Sequence, residues 1–238
     1  IARGRYRRQQ AEQQRQASAN ANVTKAATNT SLQDPADELR RAAKRLGVAL
    51  IAPNGRANSW SFPQGVKRGR ARDEFRYFND LLSDVTSRFP IDPNKIVVSG
   101  FSIGASMTWN LACREPGKYA GYVPVAGTLW RPQPQRCRRP IGDLHHYHGT
   151  SDRIFPLEGR RVAGKRQGDI RDTFEILYRQ DGCTRQVVRE TRERGLRCKV
   201  HRTCGGKALR FCLHRGAHTV KASYLEDGFR RIARAKGW

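Results

Sequence analysis

Methionine occurs once in 238 residues, as Met107, and acidic side chains are scarce: 21 Asp and Glu stand against 46 Lys and Arg, a formal charge of +25. No run approaches the ~18 consecutive apolar residues that cross a bilayer, so no membrane span is expected. No C-x-x-C pair occurs, which removes the usual spacing of zinc and thioredoxin-type sites, and no metal is expected. The phosphate loop G-x-x-x-x-G-K-[ST] is also missing. Without a zinc-finger, helix-turn-helix or RNA-binding aromatic signature, the charge implies no specific nucleic-acid partner. It permits non-specific attraction to polyanions, beside the plainer reading of arginines on solvated faces. No signal peptide is recognisable. A chain that opens on Ile1 is expected to have lost sequence upstream.

Six cysteines are present, Cys113, Cys137, Cys183, Cys198, Cys204 and Cys212, all from residue 113 onward. An even count of this kind favours three disulfides in a secreted or periplasmic protein over buried free thiols in the cytosol.

Residues 1–33 are rich in Arg, Gln, Ala and Asn and nearly devoid of large apolar side chains, so they read as a basic arm that cannot order itself alone. From residue 34 to 238 the pattern is that of one domain, expected to be monomeric. Asp34-Pro35 is a helix start, and DELRRAAKRLG stops at Gly47. Val48–Ala52 (VALIA) reads as a buried strand, and Arg72–Phe89 carries apolar residues at helical spacing. Strands are then expected at Lys95–Ser99, Gly121–Ala126, Leu144–His148, Leu196–His201 and Leu209–Leu213. Helices are expected at Ser102–Arg114, Asp169–Gln180 and Ala222–Ala235. Strands separated by helices imply crossovers and a mostly parallel sheet flanked by helices.

Within this order, KIVVSGFSIGASM places G-x-S-x-G between a strand and a helix, the setting of a nucleophile elbow. Gly100 and Gly104 are expected where a Cβ would meet the neighbouring strand or helix. Ser102 would be lifted above the sheet, and the Ile103 amide at the helix start would face an oxyanion. A serine hydroxyl needs a histidine base oriented by a carboxylate, and on such a fold the chain order is Ser, acid, His. Asp152, in YHGTSDRIFP just after a strand, is the best-placed acid, ahead of Asp143 and Glu158. His145, His146 and His148 precede the acid and alternate along a strand, which reads as a structural role. His218, in the loop HRGAHTV, is preferred as base over His214, and His201 lies in a strand.

The segments NGRANSWSFP, RDEFRYFNDLLSDVTSRFPIDPNKIVVSGFSIGASMTWNLACREPGKYAGYVPVAGT, YHGTSDRIFPLEG and RGAHTV resemble the secreted polyhydroxybutyrate-depolymerase and feruloyl-esterase type of α/β-hydrolase, from about residue 34 to the end. The resemblance implies an exported carboxylic-ester hydrolase without metal or cofactor, with Ser102, Asp152 and His218 as triad and Trp60 beside the substrate. Its substrate would be a polyester or, alternatively, a feruloyl or acetyl ester of plant polysaccharide. The resemblance also implies pairing of Cys183 with Cys204, leaving Cys198 with Cys212 and Cys113 with Cys137. Two rivals belong to other classes: a polyanion-binding relative without catalysis, and a silent structural relative. The family also carries an apolar strand ending in His-Gly before the VALIA segment, and the loop after it supplies a second oxyanion N–H. Only Ile1-Ala2-Arg3-Gly4-Arg5-Tyr6 stands in that region here, so the N-terminal strands are expected to be incomplete, through a missing N-terminal portion rather than a degraded remnant.

Overall fold

A computed structural model describes residues 35–65, 71–138, 142–180, 189–202 and 206–238. The basic segment 1–33, Cys183 and Cys204 lie outside the described residues. A compact unit runs from Glu38 to Trp238.

Helix α1 spans Pro35–Leu46 and ends at Gly47, whose φ of +67° suits a residue without a Cβ. Helix α2, Glu74–Arg88, starts where the Asp73 carboxylate accepts the amides of Phe75 and Arg76, and its apolar side turns Phe75, Phe78 and Leu82 to the core. Strand β1, Val97–Phe101, leads through Ser102 into helix α3, Ile103–Arg114. Then follow β2 (Gly121–Val125), β3 (Trp130–Arg131), β4 (Asp143–Gly149), β5 (Arg161–Val162), β6 (Lys165–Gln167) and helix α4 (Ile170–Gln180). Strands β7 (Arg189–Glu193), β8 (Leu196–Arg202) and β9 (Ala208–His214) precede helix α5 (Ala222–Lys236).

The main sheet has the order β1-β2-β4-β9-β8-β7, and β3, β6 and β5 form a small second sheet. Strands β1, β2, β4 and β9 pair in parallel, whereas β8 and β7 continue antiparallel. The parallel part needs crossovers: α3 joins β1 to β2, α4 lies on the way from β4 to β9, and α5 follows the last strand. Side chains of α2, α3 and α4 fill a core with Trp109, Leu111, Leu144 and Phe174. On the opposite sheet face, Tyr224 and Ile232 of α5 pack on Val123, Val125 and Tyr147.

Val48–Ala52 departs from the expected buried strand. It is irregular, with Leu50 48% and Ile51 41% exposed. An apolar run becomes a strand only when a neighbour takes its backbone hydrogen bonds, and among the described residues no strand pairs with it. Among the described residues β1 is likewise bordered by β2 alone, at one end of the strand order.

Disulfides join Cys113 at the end of α3 to Cys137, and Cys198 to Cys212 across β8 and β9.

Candidate active site

Ser102 sits where β1 turns into α3, with φ +57° and ψ −118°. A non-glycine residue in such a conformation costs about 1–3 kcal/mol and persists only where its surroundings enforce it. The enforcement is visible: the Ser102 amide donates to Val125 O at 3.0 Å, and its carbonyl accepts the Ser106 amide at 3.1 Å. Two glycines make the turn possible. A Cβ on Gly100 would lie 2.3 Å from Gly104 O, and one on Gly127 would lie 2.3 Å from Ser102 O. Gly104 differs from expectation, because a Cβ there would meet only Trp60 Nε1, at 3.8 Å. The close approaches fall instead on Gly100, which faces the first turn of α3, and on Gly127 after β2. Ile103 is the first residue of α3, and its amide has no carbonyl one turn earlier to bond.

Asp152 and His218 meet because two loops are laced together by backbone. Thr150 N–H donates to His214 O at 2.9 Å and Ser151 N–H to Gly216 O at 3.0 Å. A side chain on Gly149 would strike Gly216 O at 2.4 Å, which explains the glycine that ends β4. Asp152 is buried, and its Oδ1 accepts the amides of Ile154 at 2.9 Å and Phe155 at 2.7 Å. That leaves Oδ2 to accept His218 Nδ1–H at 2.7 Å. The His218 ring packs on Phe101, the residue before Ser102, with 4.5 Å between centroids. Its side chain keeps 15% of its surface exposed, so the ring is open toward solvent at the elbow.

The alternatives fall elsewhere. Asp143, at the far end of β4, is buried and accepts the Ala208 amide at 2.9 Å, a strand-ordering role. Glu158 is exposed. His214 stacks on Tyr224 at 5.2 Å; burial first, then Lys221, lowers its pKa.

Trp60 lies half-buried beside the elbow, stacked on Phe78 at 5.3 Å. Its segment is pinned by the buried Glu74, which accepts the Ser61 amide at 3.1 Å and binds Arg72 through its other oxygen at 2.6 Å. Arg72 in turn lies over the Tyr77 ring at 3.5 Å. An open cleft of about 740 Å³ lined by Arg131, Lys165, Arg166, Asp172 and Arg179 contains none of Ser102, Asp152 and His218. Among the described residues no group of three or more His, Cys, Asp or Glu is arranged to hold a metal ion, and no helix is long and apolar enough to cross a membrane.

The strand histidines are where sequence reasoning fell short. All three are buried. His145 has no partner for Nδ1, and burial and Arg210 push its pKa down to about 3. His146 and His148 bond to each other, Nε2 to Nδ1, at 3.0 Å, and His148 Nε2 lies 2.7 Å from Phe155 O. The sequence carried no signal for this contact, because it depends on the turn after β4.

A strained serine between a parallel strand and a helix, an acid after β4 and a histidine after β9, on this strand order, define an α/β-hydrolase. The Phospholipase/Carboxylesterase family model matches residues 57–172. The putative esterase NocK of Nocardia uniformis subsp. tsuyamanensis is 27% identical over 205 residues, covering 76% of this chain and 59% of that protein. Feruloyl esterase D of Neurospora crassa is 27% identical over 173 residues, covering 71% and 52%. Poly(3-hydroxyalkanoate) depolymerase C of Paucimonas lemoignei is 32% identical over 69 residues, 29% of this chain and 16% of that one. The chain thus spans little more than half the length of the first two. Among solved structures, a point variant of Arabidopsis thaliana SOBER1 aligns with a TM-score of 0.42 at 15% identity, covering 66% of this chain and 62% of that one.

Proposed function

We propose that this chain is a serine carboxylic-ester hydrolase, with residues 34–238 as its catalytic domain and 1–33 as a basic arm. The observation that carries the reading is the strained backbone of Ser102 at the strand–helix junction, with the Asp152–His218 pair beside it. His218, held through Nδ1 by Asp152, takes the Ser102 proton on Nε2 as Oγ attacks the ester carbonyl. The oxyanion is met by the Ile103 amide at the positive end of α3. His218 returns the proton to the departing alcohol, leaving an acyl-serine, and a water deprotonated by the same histidine releases the acid. The chemistry requires no metal or cofactor.

The substrate is a polyester of the polyhydroxybutyrate type. A feruloyl or acetyl ester of plant polysaccharide is the second reading, favoured by the Trp60–Phe78 stack beside Gly104, which offers a flat wall to an aromatic acyl group. Two disulfides within the described residues support export. The test is Ser102→Ala with a short p-nitrophenyl ester and a fluorophosphonate probe. Loss of both hydrolysis and labelling, with an unchanged melting curve, is expected. Undiminished hydrolysis would refute the triad. A polyester film and a feruloylated arabinoxylan assayed side by side separate the two substrates. Binding to polyanions, suggested by the charge of +25, would show as an affinity that falls steeply with salt, with no labelling if it replaced catalysis.

A further inference from the structure

Beneath the carboxylate runs a second line of polar groups that the reaction itself does not use. The Phe155 peptide is gripped at both ends: its N–H donates to Asp152 Oδ1 at 2.7 Å and its carbonyl accepts from His148 Nε2–H at 2.7 Å. The same Nε2 lies 3.6 Å from Asp152 Oδ2, the oxygen that holds His218. Behind it, His146 Nε2 stands 3.0 Å from His148 Nδ1, and the His146 ring is enclosed by Trp109, Phe174 and Phe211.

Only one neutral arrangement of protons satisfies these contacts. A carbonyl accepts, so His148 must carry its proton on Nε2. Its Nδ1 is then a bare acceptor, so His146 must donate from Nε2, and His146 Nδ1 is left bare, where no partner is found among the described residues. In the reverse arrangement, a bare His148 Nε2 would face the Phe155 carbonyl, or His148 would be charged in a buried place beside other histidines. The groups facing His148 are His146 on its own strand, Asp152 after the turn, His214 on β9 and His218 in the next loop, with Lys221 acting on His214. Burial keeps both His146 and His148 below the usual imidazole pKa, in accord with neutral rings.

We propose that His148 is a positioning residue for the proposed triad: locked as its Nε2–H tautomer by His146, it holds the Phe155 peptide and so fixes the Asp152 carboxylate against His218 Nδ1. The inference rests on the esterase reading above. The carboxylate at 2.7 Å accepts the His218 Nδ1–H and so fixes the orientation of the ring. If the Phe155 peptide loses its carbonyl donor, the turn that orients Asp152 loosens and that support falls.

The test is kcat and KM, measured separately, for His148→Phe and His148→Gln beside the wild type and Ser102→Ala. His148→Phe keeps the ring volume and removes the donor. It is expected to lower kcat about 10²-fold with KM little changed, the scale of a misplaced catalytic group. His148→Gln, whose amide can donate from nearly the same point, is expected to recover most of kcat. A kcat unchanged in His148→Phe, or one that His148→Gln does not recover, with Ser102→Ala dead, overturns this inference and leaves the esterase reading standing. Activity that survives in Ser102→Ala overturns the esterase reading itself. Imidazole 15N spectra of the wild-type protein decide the matter even if His148→Phe does not fold. His148 should show the neutral Nε2–H form at about pH 7.5, and an Nδ1–H or charged His148 there overturns the inference.

Discussion

Asp152→Asn separates what the acid does for the fold from what it does for the histidine. In the wild type, Oδ1 accepts two backbone amides, Ile154 at 2.9 Å and Phe155 at 2.7 Å, while Oδ2 accepts His218 Nδ1–H. An asparagine has one oxygen and one NH2, and the backbone decides which goes where. Turning NH2 toward the two amides would leave buried donors facing a donor, at about 1–3 kcal/mol for each unmet group. The oxygen therefore takes the Oδ1 place and NH2 faces His218. His218 must then present a bare Nδ1, so its proton moves to Nε2, the atom that has to receive the Ser102 proton. With the base blocked in this way, kcat should fall about 10⁴-fold, or about 5 kcal/mol in the barrier. Both turn bonds survive, so the melting temperature should drop by only a few degrees, at about 2–4 °C per kcal/mol for a chain of this size. Asp152→Ala loses those bonds as well and should melt lower than Asp152→Asn. The assay is p-nitrophenyl butyrate turnover at saturating substrate beside a thermal melt. An Asp152→Asn enzyme within tenfold of wild-type kcat would refute the assignment of Asp152 as the group that sets the His218 tautomer.

The two elbow glycines should respond oppositely to alanine. Gly100→Ala drives a methyl against backbone at 2.3 Å from Gly104 O and 2.4 Å from Gly104 C, and thermal melts should show a loss of about 1–3 kcal/mol or more. Gly104→Ala meets only Trp60 Nε1 at 3.8 Å within a helix, so its melt should be unchanged or raised by up to about 1 kcal/mol. The buried histidines make the fold acid-sensitive: His145 is lowered to about 3 and His146 and His148 are also lowered, burial being the largest cause for each. The unfolded chain binds protons near pH 6.5 where the folded chain does not, so this stability is complete above about pH 6.5 and is lost as pH falls toward the folded values. Each such group adds up to about 1.4 kcal/mol per pH unit to the slope. Urea titrations between pH 6 and 4 should show a slope shallower by up to one proton in His145→Leu, and an identical slope would refute the burial effect.

What sequence could see of the fold was what local pattern encodes. The α2 segment announces itself by apolar spacing, and the G-x-S-x-G turn lies at the junction of β1 and α3. Pairing over long distances was not legible. Val48–Ala52 has the composition of a buried strand and none of the partners, and it lies exposed at Leu50 and Ile51. Conversely, Lys165–Gln167 and Arg189–Glu193 are polar and short, and they become strands only because β3, β5 and β8 are there to pair with them.

The same limit governs the site. Chain order and loop position pointed to Asp152 and His218, and the two side chains lie 2.7 Å apart where Gly149 lets their loops touch. The strand between them could not be read by alternation. Every residue of β4, from Asp143 to Gly149, is buried, so the strand has no wet face against which a dry one could be recognised. Its two faces differ only in what covers them. His145 and Tyr147 turn toward the Arg210 and Asp227 charges under α5, whereas His146 and His148 turn toward Trp109, Phe174 and the turn that bears the acid. Three histidines within four residues thus have unlike environments, one kept neutral by burial with Arg210 and Arg231 adding to it, and two linked in a directed chain ending at a backbone carbonyl. The difference follows from strand parity, and only the helices and the 152–155 turn packed on each side give that parity a chemical meaning.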